Sequence, residues 1–262
     1  MRKEKKILND IFFTVQFAID DFKAKYAGSI VGVGWAFLQP IITIILYWFI
    51  FQLGFKSAPV ANFPFILWLM VGLIPWFFIS DGISNATPCL SEYSYLVKKV
   101  LFNINILPIA KILSILMVQL VLLAFGIILY MLWGYYPDIY YLQIPIYLIY
   151  ILILSSGIVY ITSTLYVFFK DTMQIVAIVL QIVFWLTPIV WDFSIMPEIV
   201  QKILMFNPLY YVVTGYRNIF IYKDGLGTSF GMTIYYWFVA FLLLFAGIRL
   251  FKKCKDHFPD VL

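Results

Sequence analysis

Acidic side chains and a single histidine are the groups in this sequence that could carry acid, base or metal chemistry. Asp20 and Asp21 are adjacent, and two close carboxylates can act as a general acid and base. Their segment has apolar residues at helical spacing, so the pair is most simply the solvated face of a helix. His257 is the one histidine in the chain, which leaves a metal site without a ligand set. The sequence therefore gives little support to an enzyme.

A chain that uses ATP or an ion gradient needs a nucleotide site or an ion relay. A nucleotide loop of the common Gly-rich type ends in Gly-Lys, and no Gly-Lys dipeptide occurs. An ion relay usually places ionisable side chains at mid-membrane depth, yet the long apolar runs of this chain contain no Asp, Glu, Lys, Arg or His. We expect no cofactor in this chain and an outside source of energy. The alternative to a chain driven by a separate subunit is a secondary transporter or flippase that works alone.

Composition assigns the chain to a membrane. Hydrophobic residues make up 64% of the 262 residues, charged residues only 12%, and the mean hydropathy is +0.97. A span needs about 20 apolar residues. The runs are apolar all round rather than alternating, which predicts helices and not a β-barrel. The fold class is therefore an all-α integral membrane protein with six transmembrane helices per protomer, over residues 26–55, 57–80, 112–137, 139–169, 172–191 and 225–248.

Lys and Arg residues predict the orientation, because they concentrate in cytoplasmic segments. With both termini inside, all but four of the 18 are cytoplasmic, the exceptions being Lys56, Lys202, Arg217 and Lys223. The net charge of +5 is thus a topology signal and an attraction to anionic membrane lipid, not a nucleic-acid surface. Residues 1–25 are predicted to form an amphipathic helix in the cytoplasmic interface rather than a signal peptide.

The stretch VKKVLFNINILP lies between the second and third runs, on the predicted cytoplasmic side. With the preceding SEYSYL it predicts a short helix that stops near Asn103 and Asn105. One face would carry Tyr93, Leu96, Val97, Val100 and Leu101, with Lys98 and Lys99 beside it. Two interpretations stay open: a connector that lies on lipid, or a docking element for a cytoplasmic motor subunit.

Three further groups of residues are functional candidates. Tyr47, Trp48, Phe51 and Trp185 lie inside apolar runs and could line a passage, since aromatic rings pack on the apolar faces of sugars; they could equally face lipid or a neighbouring helix. The external segment 192–224 predicts two short helices, PEIVQKILMF and LYYVVTGYRNIFI, that dip into the outer leaflet. Its Asn207, Pro208 and Arg217 could form an outer gate or simply pack at the rim. Arg217 could bind lipid phosphate or hold the fold.

The charged turn at Lys170 and Asp171 is the third group. It is either a plain cytoplasmic turn, or a second contact toward the motor, or a clamp on Lys23, Lys25 and Tyr26.

Seven segments, in this order, resemble the permease subunits of ABC-2 type exporters for lipid-linked polysaccharides such as O-antigen, capsule or teichoic acid. The segments are DFKAKYAGSIVGVGWAFLQP, FPFILWLMVGLIPWFFIS, VKKVLFNINILP, FFKDTMQ, TPIVW, MFNPLYYVVTGYRNIF and FKKCKDHFPDVL. Lys170 departs from the pattern, because the family commonly carries Arg before this Asp, and Lys lacks the bidentate fork.

The resemblance implies a single transmembrane domain over residues 1–262, in a homodimer that pairs with two copies of a separate ATPase holding ATP and Mg. Its substrate would be a lipid-linked glycan that crosses the bacterial plasma (inner) membrane. The segment after the second span would be the coupling helix, with Tyr93, Leu96, Val97, Lys98, Lys99, Val100, Leu101 and Phe102 in a cleft of the motor. The domain would divide into an interfacial helix (1–25), spans one to five (26–191), re-entrant helices (192–224), and a last span with a cytoplasmic tail (225–262).

Overall fold

The computed structural model describes residues 2–54, 56, 63–99, 103–225 and 228–262, with side chains from residue 11 onward. The described chain is helical, which confirms the all-α fold class. The α-helices are α1 Arg2–Lys25, α2 Trp35–Trp48, α3 Phe65–Ala86, α4 Cys89–Glu92, α5 Ser94–Val97, α6 Ile106–Leu132, α7 Ile144–Phe168, α8 Thr172–Leu186, α9 Glu198–Leu204, α10 Pro208–Arg217, α11 Phe230–Cys254 and α12 Phe258–Val261.

Helix α3 is the centre of the bundle. It packs against α2, α6, α7, α8 and α10, and its sequence is apolar on every side, as expected for a helix surrounded by other helices. Trp68, Leu69 and Leu73 are fully buried within it. Helices α2 and α8 flank α3 and keep apolar outer faces exposed.

Helices α7 and α11 form the most extensive pairing, and two glycines permit it. A Cβ on Gly157 would lie 2.5 Å from the Leu244 nitrogen, and one on Gly247 would lie 2.5 Å from the Gly157 oxygen. Small residues let the backbones of membrane helices approach this closely. The α7–α11 pair is therefore held by backbone contact as well as by side chains.

Within the described residues, five helical stretches are long and apolar enough to cross a membrane, where the sequence predicted six spans. They are Gly32–Gly54, Phe65–Ala86, Ile106–Leu132, Ile139–Phe168 and Phe230–Val261. The predicted fifth span, residues 172–191, is helical only as α8, whose 15 residues extend about 22 Å. That length is less than the roughly 30 Å of a hydrocarbon core. The apolar run continues to Trp191, but the helix ends at Leu186, just before Thr187 and Pro188.

The segment after α8 folds back into the bundle. Helices α9 and α10 form where the sequence predicted two short helices, and the turn between them lies among α7 and α11. Tyr150 donates to the Pro208 carbonyl at 3.0 Å, and Tyr236 donates to the Met205 carbonyl. Each tyrosine is the seventh residue of its helix, so the turn sits about 10 Å inside the helix ends.

Helix α1 is amphipathic and lies along α6. Ala18 is buried and Phe17 half-buried against α6, whereas Ile11, Phe12 and Val15 remain exposed. Exposed apolar side chains beside a bundle of spans are the pattern of a helix that lies in a membrane interface.

Candidate functional site

An elbow joins α3 to α6 at one end of the bundle, and we call residues 89–99 the elbow. It consists of two single-turn helices, α4 and α5, with a break at Tyr93, followed by Lys98 and Lys99. The sequence predicted one short helix that stops near Asn103 and Asn105; the structure describes helix from Ser94 to Val97, after the break at Tyr93. Val100, Leu101 and Phe102 lie outside the described residues.

The apolar face of the elbow turns inward. Val97 is buried, and Tyr93 and Leu96 are half-buried, against a cluster that includes Leu107, Val167 and Phe251. The outward residues are Tyr95, 59% exposed, and the exposed Lys98 and Lys99. Periodicity placed Tyr93, Leu96 and Val97 on one face, but it gave no indication that they anchor the elbow to its own bundle. Tyr95 is the aromatic residue available to a partner.

A buried polar cluster ties the elbow to α1 and α6. The Tyr93 hydroxyl donates to Asp21 Oδ1 at 2.5 Å, and Lys111 Nζ lies 2.7 Å from the same oxygen. Lys111 also lies 2.9 Å from Glu92 Oε2. Burial and the hydrogen bond to Asp21 raise the pKa of Tyr93, so its hydroxyl stays a donor. Asp21, Glu92, Tyr93 and Lys111 thus connect three elements, and we call them the hub.

The hub corrects the interpretation of the acidic pair. Asp20 is exposed and contacts Gln16 of its own helix at 3.3 Å, as expected for a solvated face. Asp21, by contrast, is only 7% exposed. A carboxylate so buried is stable when it is paired and hydrogen-bonded, and the hub supplies both.

Helix α7 contacts the chain on both sides of the elbow. Before the elbow, Thr87 Oγ1 lies 2.9 Å from Thr162 Oγ1. After the elbow, just before α6, the Asn105 carbonyl accepts a hydrogen bond from the Tyr160 hydroxyl at 2.9 Å. The elbow and the residues that flank it therefore contact α1, α6 and α7, so a displacement of the elbow would be transmitted to all three helices.

The predicted cytoplasmic contacts form separate pairs. Lys170 Nζ donates to Ser91 Oγ at 2.7 Å and so holds α4 to the turn between α7 and α8. Lys25 Nζ donates to Asn85 Oδ1 at 3.0 Å and holds α1 to α3. A clamp between Lys170 and residues 23–26 is not among the contacts of the described chain. Asp171 and Lys23 are exposed, and Tyr26 is half-buried.

The aromatic candidates divide by exposure. Tyr47 stacks on Phe184 with ring centroids 5.9 Å apart, which joins α2 to α8. Phe51 and Trp48 are half-buried against the core. Trp185 is 54% exposed on the outer face of α8. Trp185 is therefore the most accessible of the four, and the predicted lining of a passage stays a prediction.

Arg217 and Asn207 anchor the chain that follows α8. The Arg217 guanidinium donates to the Pro188 and Ile189 carbonyls at 2.6 and 2.8 Å, and its Cζ lies 3.7 Å from the centroid of the Trp68 ring. Asn207 donates to Thr187 Oγ1 at 2.7 Å and caps α10 at Leu209. Arg217 is 5% exposed, so these contacts support the fold-holding alternative over lipid phosphate. The outer-gate role of Asn207, Pro208 and Arg217 stays a prediction.

The fold and the elbow define a multi-pass membrane protein with a rigidly held connector at one end. Comparison with known proteins identifies the class, since residues 17–221 match the ABC-2 type transporter family. The chain belongs to that family. It is 28% identical to the O-antigen export system permease protein RfbA of Klebsiella pneumoniae, over 92% of each chain. It is 27% identical to RfbA of Myxococcus xanthus, over 92% of this chain and 91% of that one. The polysialic acid transport protein KpsM of Escherichia coli is 25% identical, over 90% of this chain and 91% of KpsM.

Proposed function

We propose that this chain is the transmembrane permease subunit of an ATP-driven exporter that moves a lipid-linked polysaccharide out of the bacterial cytoplasm. Membership of the ABC-2 type family supports the transport class. The names of the relatives, which are O-antigen and polysialic acid export proteins, support a polysaccharide as cargo. The cargo would be a polysaccharide of the O-antigen, capsule or teichoic acid type.

The elbow is the observation that carries the coupling step. It presents Tyr95, Lys98 and Lys99 outward while its other residues are fixed to the bundle. The Tyr95 ring lies against that of Tyr93, with centroids 6.2 Å apart, so a partner that moves Tyr95 also moves the hub, and with it α1 and α6. This arrangement suits the transfer of movement from a separate ATPase, which binds the ATP and Mg. The permease itself is a transport subunit without a catalytic centre.

A passage between two copies requires free faces on the protomer, and α2 and α8 have them. Ile42, Ile45 and Leu46 on α2 and Ile178 and Ile182 on α8 are each at least half exposed. The Tyr47–Phe184 contact keeps these two helices side by side. We propose that two protomers face each other across α2 and α8, with two-fold symmetry. Trp185 would then lie at the passage.

The orientation follows from the basic residues. Arg249, Lys252 and Lys253 are exposed in the last turns of α11, at the same end of the bundle as the elbow. Under the positive-inside rule that end faces the cytoplasm of a bacterial inner membrane, which puts both termini inside. Helix α1 would lie in the inner leaflet beside the hub, where a lipid-linked substrate enters.

A polar recess at the hub fits this entry. It has a volume of about 300 Å³ and lies among α1, α3, α4 and α6. Lys25, Asn85, Lys111 and Ser114 line it together with the acidic members of the hub. Lys111 is already paired with Asp21 and Glu92, so Lys25 is the ammonium group that would meet the phosphate of a lipid carrier in this recess.

Deletion of the gene is the direct test. We expect one surface polysaccharide to disappear while its lipid-linked precursor accumulates inside the cell, and both to recover when the gene is restored. The tagged chain should also co-purify with a protein that contains a Gly-rich nucleotide loop. Export that continues after ATP depletion but stops with an ionophore would instead support a secondary transporter or flippase.

A further inference from the structure

The chain ends in a hook that packs beside the elbow. After α11 the chain continues through one short 3-10 turn at Lys255–His257 into α12, which lies against α5 and α7. Phe258 is fully buried, with its ring centroid 5.3 Å from that of Phe251 and 6.0 Å from that of Phe168. The hook, residues 258–262, is therefore anchored in the same cluster that holds Val97 of the elbow.

The hook and the elbow, which pack against each other, both carry exposed residues. Pro259 and Asp260 are exposed, and Val261 is 50% exposed. Helix α5, against which α12 packs, presents Tyr95 at 59% exposure. Tyr95 and Val261 are thus exposed on two short helices that pack against each other, and both helices are anchored in the same buried cluster.

The charges around this surface favour a protein over a lipid bilayer. Exposed residues of both signs belong to the elbow, the hook and the neighbouring turns: Asp171, Asp256 and Asp260, and Lys98, Lys99 and Lys170. Exposed carboxylates are repelled by anionic headgroups, whereas a purely basic surface would be attracted. An apolar centre with a rim of both charges is the usual composition of a protein interface.

We propose that the hook and the elbow form one composite docking surface for the ATPase, with Val261 and Tyr95 as its apolar centre. The inference rests on the proposed function, because it needs a cytoplasmic ATPase partner. It adds a second chain segment, far from the elbow in sequence, to the surface that receives the partner.

Site-specific photocrosslinking in membranes of the native host tests the composite surface. A photoreactive benzophenone residue replaces Tyr95, Val261 or Tyr136 in the full-length chain, one at a time. Tyr136 is 68% exposed at the opposite end of the bundle and serves as the control. The partner is identified by mass spectrometry as a protein with a Gly-rich nucleotide loop. We expect adducts with it from positions 95 and 261 and none from position 136.

The outcomes separate the two proposals. An adduct from position 95 but none from 261 overturns the docking role of the hook and leaves the proposed function intact. No ATPase adduct from either position contradicts the proposed ATPase partner itself. An adduct of position 261 with lipid alone overturns the hook as well.

Binding strength provides a second measurement. Val261→Asp keeps the buried Phe258 anchor but introduces a charge at the centre of the surface, so we expect about tenfold less ATPase to co-purify, at equal membrane content of the permease. Val261→Ala is the matched control and should change the yield little. Equal co-purification of ATPase with both variants would refute the docking role.

Discussion

Breaking the hub is predicted to loosen the connection between α1 and the elbow. Asp21→Ala leaves Lys111 buried, with its side chain 13% exposed, and removes the acceptor of the Tyr93 hydroxyl. Loss of one partner from a buried ion pair typically costs about 3–5 kcal/mol. Lys111 keeps its contact with Glu92, a side chain that is 46% exposed, so its buried charge is still partly compensated. For this reason we expect a loss of stability near the low end of the range, about 3 kcal/mol.

A double-mutant cycle measures the pair itself. Lys111→Met alone leaves the Asp21 carboxylate buried and unpaired, while the double variant Asp21→Ala/Lys111→Met leaves neither charge. The sum of the stability losses in the two single variants should therefore exceed the stability loss in the double variant, by a coupling energy of about 2 kcal/mol. Thermal unfolding of the purified chain in detergent provides the measurement, and a 3 kcal/mol loss corresponds to roughly 6–12 °C for a chain of this size.

The neighbouring Asp20 provides the control for the cycle. Asp20→Ala removes an exposed carboxylate of the same helix, so the melting temperature should stay unchanged. Additive effects of the two hub substitutions, or an Asp21→Ala melting temperature equal to that of Asp20→Ala, would refute the energetic role of the hub.

Three other substitutions test the remaining contacts. Gly247→Ala should destabilise the α7–α11 pair by about 1–3 kcal/mol, since its Cβ would meet backbone at 2.5 Å, whereas Gly231→Ala, with nothing within 4 Å, should be neutral in the same melting assay. Arg217→Met should cost about 1–3 kcal/mol, because two buried carbonyls lose their donors, and normal stability of this variant would show that the anchor is dispensable. Trp185→Ala should lower polysaccharide export without changing the melting temperature, and unchanged export would remove Trp185 from the passage.

The sequence predicted the architecture well where composition alone decides it. Long apolar runs specified the helices, Pro197 and Glu198 marked the start of α9, and Asn207 and Pro208 marked the break between α9 and α10. The end of α8 had a local signal in Pro188, which disfavours helix at Thr187, whereas the contacts of Arg217 with the carbonyls that follow could not be foreseen. Hydropathy counts apolar residues and does not detect such tertiary contacts.

Burial at the candidate site depended on contacts that a single sequence does not contain. Asp21 and Asp20 have the same side chain, and only the packing of α1 on α6 distinguishes them. The elbow was located correctly, but the direction of its apolar face follows from the cluster beneath it, so Val97 was assigned outward and Tyr95 was missed. The unpaired Lys111 in the sequence was the one available signal, since an isolated charge near an apolar run needs a partner.

Transport in inverted membrane vesicles tests the central claim most directly. Radiolabelled lipid-linked polysaccharide is added to the outer leaflet of vesicles that contain the permease and its ATPase. The fraction of the polysaccharide that becomes protected from an added glycosidase is then measured. We predict protection that requires ATP, persists when ionophores abolish ion gradients, and is lost when the ATPase is absent. Protection that an ion gradient drives in vesicles with this chain alone would contradict the account.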